Sequence, residues 1–484
     1  MRKALFLLFA TFLLVVFTGK GLLAQDQDEF QKWLKKDQQS FQKFVQEEDR
    51  AFADFLKKDW EAFQAQQGIK PFSKPKPVTI PHAPAKPQPK PTVPLKKVET
   101  LPPPPPRPKP VLPKPPAPAP TMKTVSFEYY SQPVVIAFQK KIKIDLNPPL
   151  NNEKISKAWL TMAGTDQKEI LKQLRDYRKN LTLNDWGFLK LVHRTACTLT
   201  GDDARKCIAY TWFLLNKLGY NAKIAFKQNR MFLLLPSKNL MYERPFVVIN
   251  KQKFYFITFR GTPNLKGKIL TYRGTYQHAD QPIALNIQQL PHLPQSAKKR
   301  IVHFSYAGKR YAIPLEYDGE VVRFFKNYPQ TELKLYFEAP ASDYLKYSLL
   351  NNLRDLVKGK SEVDAVNLLL RFVQTGFQYR TDDQQFGHEK YMLPDETVYY
   401  PSCDCEDRAI LFSYLVRNLL GLEVVGLDYP NHVATAVHFH SEIPGKAVTF
   451  RGKRFVICDP TYVNADAGME MPDFKDITPK VIVF

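Results

Sequence analysis

The chain has 484 residues, 40 of them proline, and 70 lysines and arginines against 47 acids give it a net charge of +23. Eleven of the basic residues fall between 69 and 123 beside a single acid, Glu99, so the basic balance says little about the folded parts. That charge is not joined to base-stacking aromatics, which argues against a nucleic-acid partner.

Residues 1–24 read as an export signal: Arg2 and Lys3, an apolar run from Ala4 to Phe17, then small residues up to a cut after Ala24. The run is shorter than the roughly 20 residues a bilayer span needs, and no cysteine lies near it to carry a lipid. The expected location is periplasmic or secreted.

Residues 25–68 repeat with a period of 11: Phe30, Phe41, Phe52 and Phe63, then Trp33, Phe44 and Phe55. Eleven residues over three turns is about 3.67 per turn, which keeps the aromatics on one stripe of an amphipathic helix. The stripe can meet a second copy or a partner helix, the body of the protein, or a membrane surface. Lys35, Lys36, Asp37, Glu47, Glu48 and Asp49 mix both charges on the other side, unlike a purely basic membrane helix.

Residues 69–123 are a Pro/Lys-rich linker. Such a chain favours polyproline II at about 3.1 Å per residue, a semi-rigid spacer on the order of 150 Å that builds no core. It is solvated, or follows an anionic envelope surface.

From residue 124 the chain is long enough for two or three domains. Residues 124–262 look like a degenerate copy of the C-terminal unit. Laid ungapped, Asp203 to Leu235 matches Cys405 to Val437 at Ile208/Ile410, Asn216/Asn418, Leu218/Leu420, Gly219/Gly421 and Asn229/Asn431. Opposite Cys405, His432 and Asp459 stand Asp203, Arg230 and Thr258, so this copy is expected to be inert. Residues 263–340 alternate short β-rich runs, at 268–272, 283–287, 300–306, 311–315, 321–325 and 332–337, with turns such as Ala307-Gly308 and Asp318-Gly319, and predict a small β domain.

Residues 341–484 carry the chemistry. After Cys405, Ala409, Ile410, Phe412, Leu415, Val416 and Leu419 recur at helical spacing until Gly421, placing Cys405 in a first helical turn. There the helix dipole favours thiolate and unpaired N–H groups can receive an oxyanion. Strands are expected at 424–427, 433–439 and 454–458, the second entered by His432 and the third ending at Asp459. Cys405, His432 and Asp459 thus supply nucleophile, base and orienting acid; His438 and His440 stay open as the base, because strand alternation puts them on the side of His432.

The run Pro394-x-Glu396-Thr397, then Asp404-Cys405-Glu406-Asp407-Arg408-Ala409, with Asn431-His432-Val433 and Asp459-Pro460-Thr461-Tyr462, resembles the transglutaminase-like superfamily, in particular bacterial transglutaminase-like cysteine proteinases. The chain departs from the family in having Ser402-Cys403 where glycine usually precedes Asp-Cys, and in a short step from Cys405 to His432. The resemblance implies an α+β, papain-like C-terminal domain with a Cys405-His432-Asp459 triad acting on an amide or peptide bond of the envelope. It also implies calcium as an option at Asp404 and Glu406, with no other cofactor. The alternative is a non-catalytic envelope scaffold. Five cysteines (197, 207, 403, 405 and 458) suit paired structural thiols plus one that stays free, or a link from Cys403 to Cys458.

Overall fold

The computed structural model describes residues 23–71, 76–77, 79–84, 122–259 and 264–484. Most of the expected signal and of the linker lies outside these residues. The fold is mixed α+β.

Helix α1 spans Leu23–Lys58 and ends before the fourth aromatic repeat. Trp60 donates from Nε1 to Leu56 O at 2.6 Å, and Glu61–Gln64 becomes strand β1, so Phe63 belongs to a sheet and not to the helical stripe. The stripe divides along its length. Ala53 and Leu56 are fully buried, and Phe52 packs edge-on against Trp159 at 4.7 Å and Tyr276 at 5.4 Å. Trp33 and Phe44 remain about half exposed. The last turns therefore dock on the body of the protein. Phe52→Ala should cost about 3–5 kcal/mol of unfolding free energy, whereas Trp33→Ala should change it by less than about 0.5 kcal/mol. Denaturant midpoints check both, and equal losses would show that the whole stripe is packed.

The first unit opens with the hairpin β2 (Lys123–Tyr129) and β3 (Gln132–Phe138), followed by helices α2 (Asn152–Ala163), α3 (Lys168–Asn180), α4 (Asp185–Thr200) and α5 (Ala204–Lys217). Strands β4 (Lys223–Lys227), β5 (Arg230–Pro236), β6 (Phe246–Ile249), β7 (Gln252–Ile257) and β8 (Lys268–Thr271) join β1 in an antiparallel sheet of order β1-β8-β4-β5-β7-β6. The stretch 263–340 forms no separate β domain. Its first run, β8, completes the preceding sheet, and only Ala297–Tyr306 (β9) and Lys309–Asp318 (β10) pair as a hairpin. The runs at 321–325 and 332–337, expected as strands, are helices α6 (Gly319–Phe325) and α7 (Leu333–Phe337). Asp318 caps the first through its side chain, a local signal that outweighs the β propensity of the valines.

The second unit runs through α8 (Asp343–Val357), α9 (Glu362–Gly376), β11 (Gln378–Tyr379), α10 (Asp382–Gln385), α11 (Pro394–Tyr399), β12 (Ser402–Cys403) and α12 (Cys405–Leu415). Then come β13 (Glu423–Tyr429), β14 (His432–His438), β15 (Ala447–Phe450), β16 (Lys453–Cys458) and β17 (Lys480–Ile482), in the order β15-β16-β14-β13-β17. Gly421 closes the helix at φ 68°, in the left-handed region as expected of a C-terminal glycine.

The run β4-β5-β7-β6 of the first sheet is repeated by β13-β14-β16-β15 of the second, whereas β1 has no counterpart there. β4 turns into β5 with Lys227 opposite Arg230, as β13 turns into β14 with Tyr429 opposite His432. Leu233 faces Ile257 as Thr435 faces Cys458, and Phe246 faces Tyr255 as Ala447 faces Val456. The helices differ by one residue. α12 continues into a π-turn, Val416–Leu420, which takes up an extra residue before Gly421. Counted from the helix caps, Asp203 therefore stands opposite Asp404, and Ala204 opposite Cys405, one position from where the ungapped comparison put them. One hydrophobic core runs through both units, from Trp159 and Trp212 to Phe337, Ile410 and Val433.

Candidate active site

Asp404 caps α12, its backbone N–H donating to Asp407 Oδ2 at 3.3 Å while Asp407 Oδ1 accepts from Met392 N at 2.7 Å. This fixes the helix start, and with it Cys405 as the first helical residue. Arg408, fully buried, ties the same turn to α9 by donating to Gln374 O at 3.1 Å and Phe377 O at 2.8 Å. Gln374 in turn donates from Nε2 to Asp459 O at 3.1 Å, so one polar chain connects the helix of Cys405 with the turn of Asp459.

His432 opens β14, and α12 packs against that strand. Its Nε2 lies 2.8 Å from Asp459 Oδ2, and its ring stacks on Phe474 at 4.9 Å. Asp459 Oδ1 accepts from Thr461 N and Tyr462 N, which orients the carboxylate. With Nε2 engaged, Nδ1 is the nitrogen left for proton transfer. His438 and His440 are held elsewhere: His438 Nδ1 is 2.9 Å from Arg454 O, and His440 Nδ1 is 2.6 Å from Glu362 Oε1.

Of the three site residues, the structure joins His432 and Asp459 directly and sets Cys405 at the head of the helix packed on their strand. The thiol is fully buried and donates to Glu406 Oε2 at 3.0 Å; no hydrogen bond joins it to His432. Burial, followed by the Glu406 carboxylate, holds the Cys405 thiol well above its ordinary pKa, with Lys76 opposing. The thiolate expected from the helix N-terminus together with the His432 imidazolium is thus opposed here by burial and by the Glu406 carboxylate.

The reason is an acid cluster that the sequence concealed. Asp382 and Glu389 converge with Asp404 and Glu406, and Asp407 lies against the same group. Burial and Glu406 push the Asp404 carboxyl up to about 7. Lys76, from the expected linker, reaches into the cluster with its side chain only 4% exposed. Its Nζ lies 2.8 Å from Asp404 Oδ2, 2.5 Å from Glu389 Oε1 and 3.7 Å from Asp382 Oδ2, and also bonds Glu406 Oε1. Burial alone would lower the ammonium's pKa, but Asp404 and Glu406 outweigh it and hold it well above the usual lysine value.

The rest of this segment follows the site. Tyr379 donates from its hydroxyl to Pro77 O at 2.8 Å. Further on, Ala83 N donates to Val463 O at 2.7 Å and Val463 N to Pro81 O at 3.0 Å, a parallel bridge beside the Asp459 turn, and Ala83 is buried. The described residues 76–77 and 79–84 are thus docked, where a solvated spacer was expected of 69–123. The sequence offered no way to single out Lys76, since the same Lys-Pro step recurs at Lys70, Lys74, Lys86, Lys90, Lys109 and Lys114.

In the first unit the equivalent position is an open cavity of about 650 Å³, lined by Asp203, Arg205, Arg230, Phe232 and Thr258. Cys197 and Cys207 at its edge are joined in a disulfide. Cys403, Cys405 and Cys458 are free and buried, so a link from Cys403 to Cys458 is not formed, and three thiols stay free where the odd count suggested one. No protein-family model, no curated protein and no solved structure matches this chain.

Proposed function

We propose that this chain is an exported, transglutaminase-like cysteine enzyme that hydrolyses a peptide or amide bond in the cell envelope. The observation that carries the reading is the Asp459-oriented His432, with Nδ1 left for proton transfer, on the strand that receives the helix headed by Cys405. In the reaction Cys405 Sγ gives its proton to His432 Nδ1 and attacks the carbonyl carbon. First-turn N–H groups of α12 receive the oxyanion. His432 returns the proton to the leaving amine, and water then releases the acyl group from sulfur. The first unit, with Ala204, Arg230 and Thr258 at the matching places, does no chemistry.

The acid cluster suits a divalent cation such as calcium by its donors: Asp382, Glu389, Asp404 and Glu406 supply hard oxygens, and the buried Asp404 Oδ1 has no hydrogen-bond partner. Bound there, the ion would offset the negative charge that disfavours thiolate. Lys76 Nζ contacts the same four carboxylates, so ion and ammonium compete for them.

The buried, raised thiol favours a second reading, a binding scaffold that presents two clefts without turnover. Alkylation of the full chain with iodoacetamide separates the two. As an enzyme, it should label at Cys405 at least about tenfold faster than at Cys403 or Cys458, which have no base beside them. Equal protection of all three thiols would leave the scaffold.

A further inference from the structure

We propose that the acid cluster beside Cys405 is a recognition pocket for a lysine side chain on an extended, proline-flanked peptide, and that Lys76-Pro77 of this chain, with Pro81 and Ala83 further along, is its ligand in cis. The inference deepens the enzyme reading by naming a substrate class, and rests on that reading only where it calls the ligand a substrate.

Three observations carry it. The pocket sets four carboxylates around one ammonium, a preference for cationic side chains that a neutral residue could not satisfy, since removal of the cation would leave like charges buried together. The ligand is held by its backbone as well as by its lysine: Pro77 O is fixed by Tyr379, and Pro81 and Ala83 bridge Val463. Main-chain bonds give grip and a side-chain pocket gives selectivity, the division of labour in extended-peptide recognition. The path of the segment also matches the site, starting at the helix of Cys405 and ending at Val463, just past Asp459 and its turn. Proline after the lysine suits such a ligand, because it holds the chain extended at little entropic cost. With Lys-Pro steps repeated along 69–123, the linker of a second copy carries the same ligand chemistry as the segment in cis.

The test is a binding measurement that needs no thiol chemistry. A fluorescein-labelled peptide of residues 69–84 is titrated, by anisotropy with chelator present, against the full chain carrying Cys405→Ala, with and without Lys76→Met. The peptide should bind the Lys76→Met protein at least about tenfold more tightly than the protein that keeps Lys76, because only the former has its pocket vacated. The same peptide with methionine in place of Lys76 should lose at least about tenfold. Equal binding of both peptides, or equal binding to both proteins, overturns the proposal. Should Lys76→Met fail to fold, hydrogen exchange on the unsubstituted chain decides: the Ala83 amide should be protected and should lose protection in excess peptide, whereas exchange at the rate of a free peptide overturns the inference. Lysine-dependent binding without any acyl transfer would sink the enzyme reading and leave the pocket standing. Acyl transfer without lysine dependence would do the reverse.

Discussion

His432→Ala is expected to abolish the burst of p-nitrophenol that the full chain releases from p-nitrophenyl acetate, with a loss of about a thousandfold or more. The probe reports acylation of a nucleophile without requiring the natural substrate. General-base removal typically costs ~10²–10⁴-fold, and here the thiol starts protonated, so it depends on the imidazole more than a pre-formed thiolate would. Asp459→Asn should fall between His432→Ala and the parent, because the amide cannot stabilise an imidazolium at Nε2. His438→Ala should stay within about twofold, its ring being committed to Arg454 O. If His438→Ala were the crippling change, the base would have to be reassigned to the far end of β14.

The second large effect is on stability. Arg408→Met should lower the unfolding free energy by about 3 kcal/mol, read as a shift in denaturant midpoint with the slope unchanged. Methionine fills a similar volume but strands Gln374 O and Phe377 O, two buried carbonyls that each cost about 1–3 kcal/mol when unpaired. Relief of a buried charge offsets part of this. Arg408→Lys should not restore the loss, since a single ammonium lacks the planar fork that reaches both carbonyls. A loss under about 1 kcal/mol would mean that water or a neighbouring donor takes over the carbonyls, and that α9 and α12 are held together by packing alone.

What the sequence disclosed follows from the range over which its signals act. Helix α12, its glycine stop, the strands β13, β14 and β16 and the pairing of His432 with Asp459 rest on periodicity and short motifs and were readable, whereas β11, β12 and β15, of two to four residues, were not. The likeness of β4, β5, β6 and β7 to β13, β14, β15 and β16 left a trace in the sequence as the shared helix-glycine-strand spacing. The π-turn left none: an extra residue inside a helix leaves no mark on apolar spacing, so the ungapped comparison slipped by one and set Asp203 opposite Cys405. The 321–325 and 332–337 runs were misread because Val-, Phe- and Tyr-rich stretches of five or six residues suit a buried helix as well as a strand. The acid cluster was the deepest omission. Asp382 heads the single turn of α10 and Glu389 lies in the loop after it, neither with a periodic pattern to mark it, and Lys76 is one of several equivalent lysines more than 300 residues away in the chain. Only the fold selects it.

The docking of Lys76 also sets a threshold for anything that would replace it. Ile69 O accepts from Glu243 N at 2.8 Å, which moors the chain to the first unit, so Lys76 lies seven residues along the chain from a fixed point. Seven residues span at most about 25 Å, and a ligand joined to its site within that distance has an effective concentration in the millimolar range. A free peptide of equal intrinsic affinity would have to approach that concentration to take half the sites. Dilute lysine-bearing chains would therefore leave Lys76 in place, and only a crowded array of them would displace it.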